Sequence, residues 1–107
     1  MVLGLFSRRK PRVIGVLVDG APVSLDAQRR AIEEWASAEG ARIGEWITVK
    51  PGESPKADKG DLLIVYTMRS LGESPSEAAR VYEELRRRGV KLVQVASTGP
   101  GQPSMGC

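Results

Sequence analysis

Asp61-Leu62-Leu63-Ile64-Val65-Tyr66-Thr67-Met68-Arg69-Ser70-Leu71-Gly72-Glu73-Ser74-Pro75-Ser76-Glu77 decides how this chain folds. After Asp61, Leu62 to Tyr66 are a short apolar run with branched side chains, the mark of a strand covered on both faces, as in a parallel sheet. The run ends in polar residues and a glycine. Ser74-Pro75-Ser76-Glu77 then opens a helix, with a capping serine, proline at the first helical position and glutamate in the first turn. Ala78, Val81 and Leu85 form its apolar stripe, and Arg86-Arg87-Arg88 sits at its negative end before Gly89. Val90-Lys91-Leu92-Val93-Gln94-Val95 follows as another strand.

The same grammar holds upstream. Val13-Ile14-Gly15-Val16-Leu17-Val18 is a second fully apolar run, bounded by Pro11 and by Asp19-Gly20. Ser24 can cap a helix in which Asp26 favours the positive end and Leu25, Ile32 and Trp35 recur at helical spacing, with Gly40 as its stop. Ala41 to Val49 alternates weakly and reads as a strand near the sheet edge. Residues 50–60 hold two prolines, two glycines and five charges, so this loop has nothing to pack with and is expected to be mobile. The order β-α-β-loop-β-α-β implies one α/β domain: a four-stranded, mainly parallel sheet in the order 2-1-3-4 with helices on both faces, a three-layer arrangement. A functional edge belongs at the carboxyl ends of the strands. Residues 1–12 read as a basic arm, 13–97 as the domain and 98–107 as a flexible tail.

The chain has 107 residues, no histidine and a single cysteine, Cys107. An internal disulfide is excluded, a reducing cytoplasmic setting is the default, and structural zinc is disfavoured. No cofactor is implied. General-base chemistry would fall to a carboxylate or lysine. The net charge of +3 is compatible with nucleic acid without demanding it. Met1 to Phe6 is too short for a signal-peptide core, and no run is long enough to span a bilayer. Gly15 and Gly20 lack the spacing of a phosphate-cradling loop, and the few aromatic residues form no stacking stripe.

Two segments carry a resemblance. Ser24-Leu25-Asp26-Ala27-Gln28 stands where serine recombinases of the resolvase/invertase family begin a helix with Ser-Leu-x-x-Gln. Arg69-Ser70-Leu71-Gly72-Glu73-Ser74 is similar to their Asp-Arg-Leu-Gly-Arg-Ser. Pro103-Ser104-Met105-Gly106 looks like the Pro-Met-Gly that introduces the family's long dimer helix. The resemblance runs from about Arg12 to Gly106 and implies the fold of the family's catalytic domain.

It also implies lost chemistry. The family's first strand ends in a pattern like Tyr-x-Arg-Val-Ser, with a serine that attacks a DNA phosphodiester and an arginine that stabilises the phosphate. Here Val16 to Val23 contains neither. Arg69 takes the aspartate position, Ser70 the first arginine position and Glu73 the second. Losing one donor of the oxyanion type costs about 2.7–4 kcal/mol of barrier, so the implied protein is not an enzyme. The helix the family has between its second and third strands is replaced by the 50–60 loop, and its dimer helix and DNA-reading domain would follow Gly106.

Other features have plainer explanations. Ser24 is a cap, and Thr67 and Ser70 sit where hydroxyls satisfy loop backbone. Arg8, Arg9, Lys10 and Arg12 could contact phosphates weakly and without sequence preference, but a terminal charge run is more often a solvated segment. The expectation is a catalytically inactive binding or regulatory module of mobile-element, plasmid or phage type. Its partner would be DNA or a protein, it would be a monomer or weak homodimer, and it would not engage membranes. The rivals are an enzyme with another reaction at the strand-end edge, using Asp19, Glu73 or Ser70, and a remnant with no function.

Overall fold

A computed structural model describes residues 11–96. Strands β1 (Val13–Val18), β2 (Glu45–Val49), β3 (Leu62–Val65) and β4 (Lys91–Gln94) form one sheet in the order β2-β1-β3-β4. Every neighbouring pair is parallel. Helix α1 (Leu25–Glu39) follows β1, and a 3₁₀ turn (Met68–Leu71) leads from β3 into helix α2 (Pro75–Arg87). The expected order is borne out, and the sheet is parallel throughout.

The alternation of β1 explains the layers. Ile14, Val16 and Val18 face α2 and join Leu63, Val65, Val81 and Leu85 in the larger core. Leu17 points the other way, onto Ile32 of α1 and Ile64. Gly15 lies on this second face in register with Trp46. A Cβ on Gly15 would stand 2.4 Å from the Trp46 ring, so the missing side chain makes room for the indole. The Arg29 guanidinium lies 4.5 Å from that ring's centre. Leu25, expected in the buried stripe of α1, is exposed, and Gln28, Ile32 and Ala36 are the buried positions.

Both helix starts are capped as expected. Ser24 Oγ accepts from Ala27 N at 3.1 Å and Ser74 Oγ from Glu77 N at 3.1 Å. Glu77 returns its carboxylate to Glu73 N–H at 2.7 Å, one residue before the cap. Gly40 ends α1 with φ +70°.

The 50–60 loop departs from expectation. Pro55 and Ala57 are buried, and Ala57 belongs to the larger core. Gly52 N donates to Leu71 O at 2.7 Å, Ser54 Oγ to Glu84 at 2.9 Å, and Arg88 to Pro55 O at 3.2 Å. Composition gave no hint of this, because α2 holds the loop largely through backbone carbonyls that every residue carries. The segment packs on the α2 side of the sheet.

At the amino-terminal edge of the sheet, Asp61 is fully buried. Its carboxylate accepts from Arg12 N (2.9 Å), Asp58 N (2.9 Å) and the Arg12 guanidinium (2.8 and 3.2 Å). Burial alone would raise its pKa; the backbone N–H groups of Asp58 and Arg12, with the guanidinium, outweigh that and lower it from the usual 3.8 to about 2. A lowered carboxylate pKa adds stability that is complete above 3.8 and lost as pH falls through about 2. The difference in unfolding free energy between wild type and Asp61→Asn should therefore stay constant from pH 7 to 5. It should then shrink by about 2 kcal/mol by pH 2. Urea midpoints across that range check this, and a difference that stays flat to pH 2 rules it out.

Arg12 also lies 3.1 Å from Glu45 and 3.6 Å from Asp58. It is thus held by three carboxylates and is no part of a free phosphate-contacting arm. Arg8, Arg9, Lys10, Met1 to Phe6 and the 98–107 tail lie outside the described residues. No helix among the described residues is long and apolar enough to cross a membrane.

Candidate functional site at the strand carboxyl ends

The carboxyl ends of β1, β2 and β3 enclose a hollow of about 780 Å³. Three chain segments build it: the turn Asp19 to Val23 after β1, Lys50-Pro51 after β2, and Tyr66 to Glu73 after β3. Parallel strands end on the same side, so loops distant in sequence converge there.

Each wall has a local cause. Asp19 N donates to Val49 O at 2.8 Å and extends the β1–β2 pairing by one bond. Gly20 then turns the chain at φ +115°, a region L side chains avoid, with the Pro51 ring packed against it. Gln28 reaches up from α1 to hold the turn. Its Nε2 donates to Val18 O (2.9 Å) and Val23 O (2.8 Å), and its Oε1 accepts from Val18 N (2.9 Å). On the other side, Met68 N donates to Gln94 Oε1 at 2.9 Å and starts the 3₁₀ turn.

Arg69, Ser70 and Glu73, singled out from the sequence, all line the hollow. Ser70 is buried and donates its hydroxyl proton to Thr67 O at 2.7 Å. Arg69 is exposed and donates to Gly72 O at 3.0 Å. Glu73 is exposed and lines the hollow together with Asp19. Lys50 lies 3.6 Å from Asp19; both are more than half exposed, so the pair adds little stability.

A nucleophile needs a base beside it. Among the described residues no hydroxyl of the hollow is hydrogen-bonded to a carboxylate, and the chain has no histidine. A phosphate entering the hollow would meet two carboxylates and two cations, one of the cations already facing Asp19. The described residues contain no group of acids or thiols arranged to hold a metal ion.

Lys50 was not singled out from the sequence as a site residue, and Gln28 was named only as part of the Ser24 to Gln28 resemblance. Lys50 enters only through the β1–β2 register, which places Val49 beside Val18. Gln28 did carry a signal, because it sits one helical turn before Ile32 on the buried stripe of α1. Arg12 lies at the opposite edge of the sheet, away from the hollow.

No protein-family model matches this chain, and no curated protein sequence does. Solved structures do. The N-terminal catalytic domain of TP901-1 integrase superposes with a TM-score of 0.60 at 15% identity, over 78% of this chain and 76% of that one. The C-terminal catalytic domain of ISC1926 TnpA, an IS607-like serine recombinase, superposes with a TM-score of 0.58 at 18% identity, over 83% of this chain and 70% of that one. The chain has the fold of these serine recombinase catalytic domains.

Proposed function

From that fold we propose a recombinase-like domain without recombinase chemistry, whose work is to bind. One observation carries the reading: Asp19 and Glu73 line the hollow where the fold would present a phosphodiester to its catalytic groups. Phosphoryl transfer gathers negative charge on oxygens, and catalysis of it rests on fixed cations and a poised nucleophile. Carboxylates in that place raise the barrier. Ser70 offers no substitute nucleophile, since its proton is held on Thr67 O at 2.7 Å.

The partner this supports is nucleic acid held by its phosphates, in a module of mobile-element, plasmid or phage type. The test is incubation of the full chain with supercoiled plasmid, followed by a search for nicked circles and for covalent protein–DNA adducts. Neither is expected from wild type. Neither is expected from Asp19→Ser combined with Ala21→Arg, which returns one serine and one arginine without the rest of the apparatus. A covalent adduct formed by the wild-type chain overturns the reading.

A further inference from the structure

The hollow is the obvious place for a ligand, yet among the described residues it holds one cation without an ion pair, Arg69, and a larger group of such cations lies at the other end of the sheet. The chain's thirteen acidic residues all fall within 11–96, where they balance the lysines and arginines; Arg8, Arg9 and Lys10 carry the net +3. Asp19 and Glu73 line the hollow beside Lys50 and Arg69. Lys59, Arg87, Arg88 and Lys91 gather where α2 ends and β4 begins.

The geometry of that second edge is well defined. The Lys59 side chain lies over Gly89, whose Cβ, if it had one, would stand 2.8 Å from Lys59 Cγ. Gly60 N donates to Gly89 O at 2.9 Å, which fastens the loop to the end of α2. Lys91 N donates to Asp61 O at 2.9 Å, and Leu62 N to Arg12 O at 2.8 Å, so α2, β4, β3 and the start of β1 share this edge. All four cations are exposed, and among the described residues none of them makes an ion pair. Asp58 and Asp61 are turned to Arg12, while Glu83 and Glu84, one helical turn before Arg87 and Arg88, pair with Arg86 and Arg80. The negative end of α2 offsets roughly half a unit charge. It cannot account for four cations, two of which are not on a helix.

We propose that this amino-terminal edge, and not the hollow, is the surface that takes the phosphate backbone of a nucleic acid. The inference rests on the reading of the domain as a binding module. It names which end binds: exposed cations without carboxylate partners are free to meet backbone phosphates, and each phosphate so neutralised adds about 0.9 to the salt slope. Binding of this kind is sequence-independent, since no side chain here is held for reading base edges.

The experiment is fluorescence anisotropy of the full chain with a labelled duplex at about 50 and 200 mM salt, the range over which phosphate contacts show. Two variants decide it: Lys59→Glu with Arg87→Glu at the basic edge, and Lys50→Glu with Arg69→Glu at the hollow. Far-UV circular dichroism and urea midpoints confirm that both fold, which their exposure makes the expected result. Wild type should bind salt-sensitively. The edge variant should lose roughly tenfold or more in affinity and about two units of salt slope. The hollow variant should stay within about twofold. Loss in the hollow variant alone overturns the inference. So does a wild-type chain that fails to bind duplex at low salt, including one that binds only vesicles containing phosphatidylserine. Plasmid nicking would instead overturn the non-catalytic reading and leave the location of the binding edge standing.

Discussion

Gly72→Ala is expected to destabilise the domain by about 3 kcal/mol, at the upper end of overpacking costs. Backbone angle is not the reason, because Gly72 has φ −141° and any residue adopts that. Space is the reason. An alanine Cβ would stand 2.3 Å from Ala78 N and 2.7 Å from Glu77 C. These are backbone atoms in the first turn of α2 and cannot rotate aside. The helix must back away from the 3₁₀ turn, which loosens Ala78, Val81 and Leu85 from the larger core. A domain of this size should lose about 15 °C in Tm. Gly40→Ala is the control: its φ is +70° and nothing lies within 4 Å, so it should cost only the left-handed penalty of about 1 kcal/mol. Urea midpoints of the two variants separate the causes. If Gly72→Ala costs no more than Gly40→Ala, the close approach is not tight in solution.

Gly72 also shows what kind of information the chain carries openly. Strands β1 and β3 are legible because burial on both faces leaves a continuous apolar run, and the helix ends are legible because serine, proline and glycine act locally. The sheet order follows from strand–helix alternation and right-handed crossovers. What escaped was set by partners far off in sequence. Asp61 is bonded to Arg12, 49 positions away, and a lone aspartate before a strand does not announce that. Pro55 and Ala57 look like loop punctuation until α2 closes over them. At the hollow, Arg69, Ser70 and Glu73 arrive together because one segment carries them; Asp19, expected at the same edge, joins them through the β1–β3 pairing, and Lys50 only through the β1–β2 register.

The two segments that resemble recombinase sequences divide in the same physical way. Positions that match the family's pattern hold up the fold here: Ser24 and Ser74 cap helices, Leu71 is buried in the larger core, Gly72 admits α2, and Gln28 pins the turn after β1. Positions that differ, Arg69, Ser70 and Glu73, face the hollow. The matching positions thus do structural work, and the differing ones lie at the strand ends.

Gln28→Leu puts the scaffold half of that division to the strongest test. The side chain is fully buried and makes three hydrogen bonds, to Val18 N, Val18 O and Val23 O. Leucine nearly fills the same volume but answers none of them. Ala21 N reaches Val18 O at 3.4 Å and gives that carbonyl a weak second partner; Val23 O and Val18 N have less. At about 1–3 kcal/mol for each buried group left unmade, less the gain from burying an apolar side chain, the expected loss is about 4 kcal/mol. Gln28→Glu separates polarity from packing. At pH 7 its carboxylate can accept from Val18 N–H but opposes two carbonyl oxygens, and burial raises its pKa. Its proton returns first in the folded state, so the glutamate variant should gain stability as pH falls from 7 to 5. The leucine variant should not change over that range. Since Gln28 fixes the turn from Asp19 to Val23, both variants should also speed hydrogen exchange at those amides. A leucine variant within 1 kcal/mol of wild type would mean that the turn after β1 holds itself, and that Gln28 is a passenger in the core.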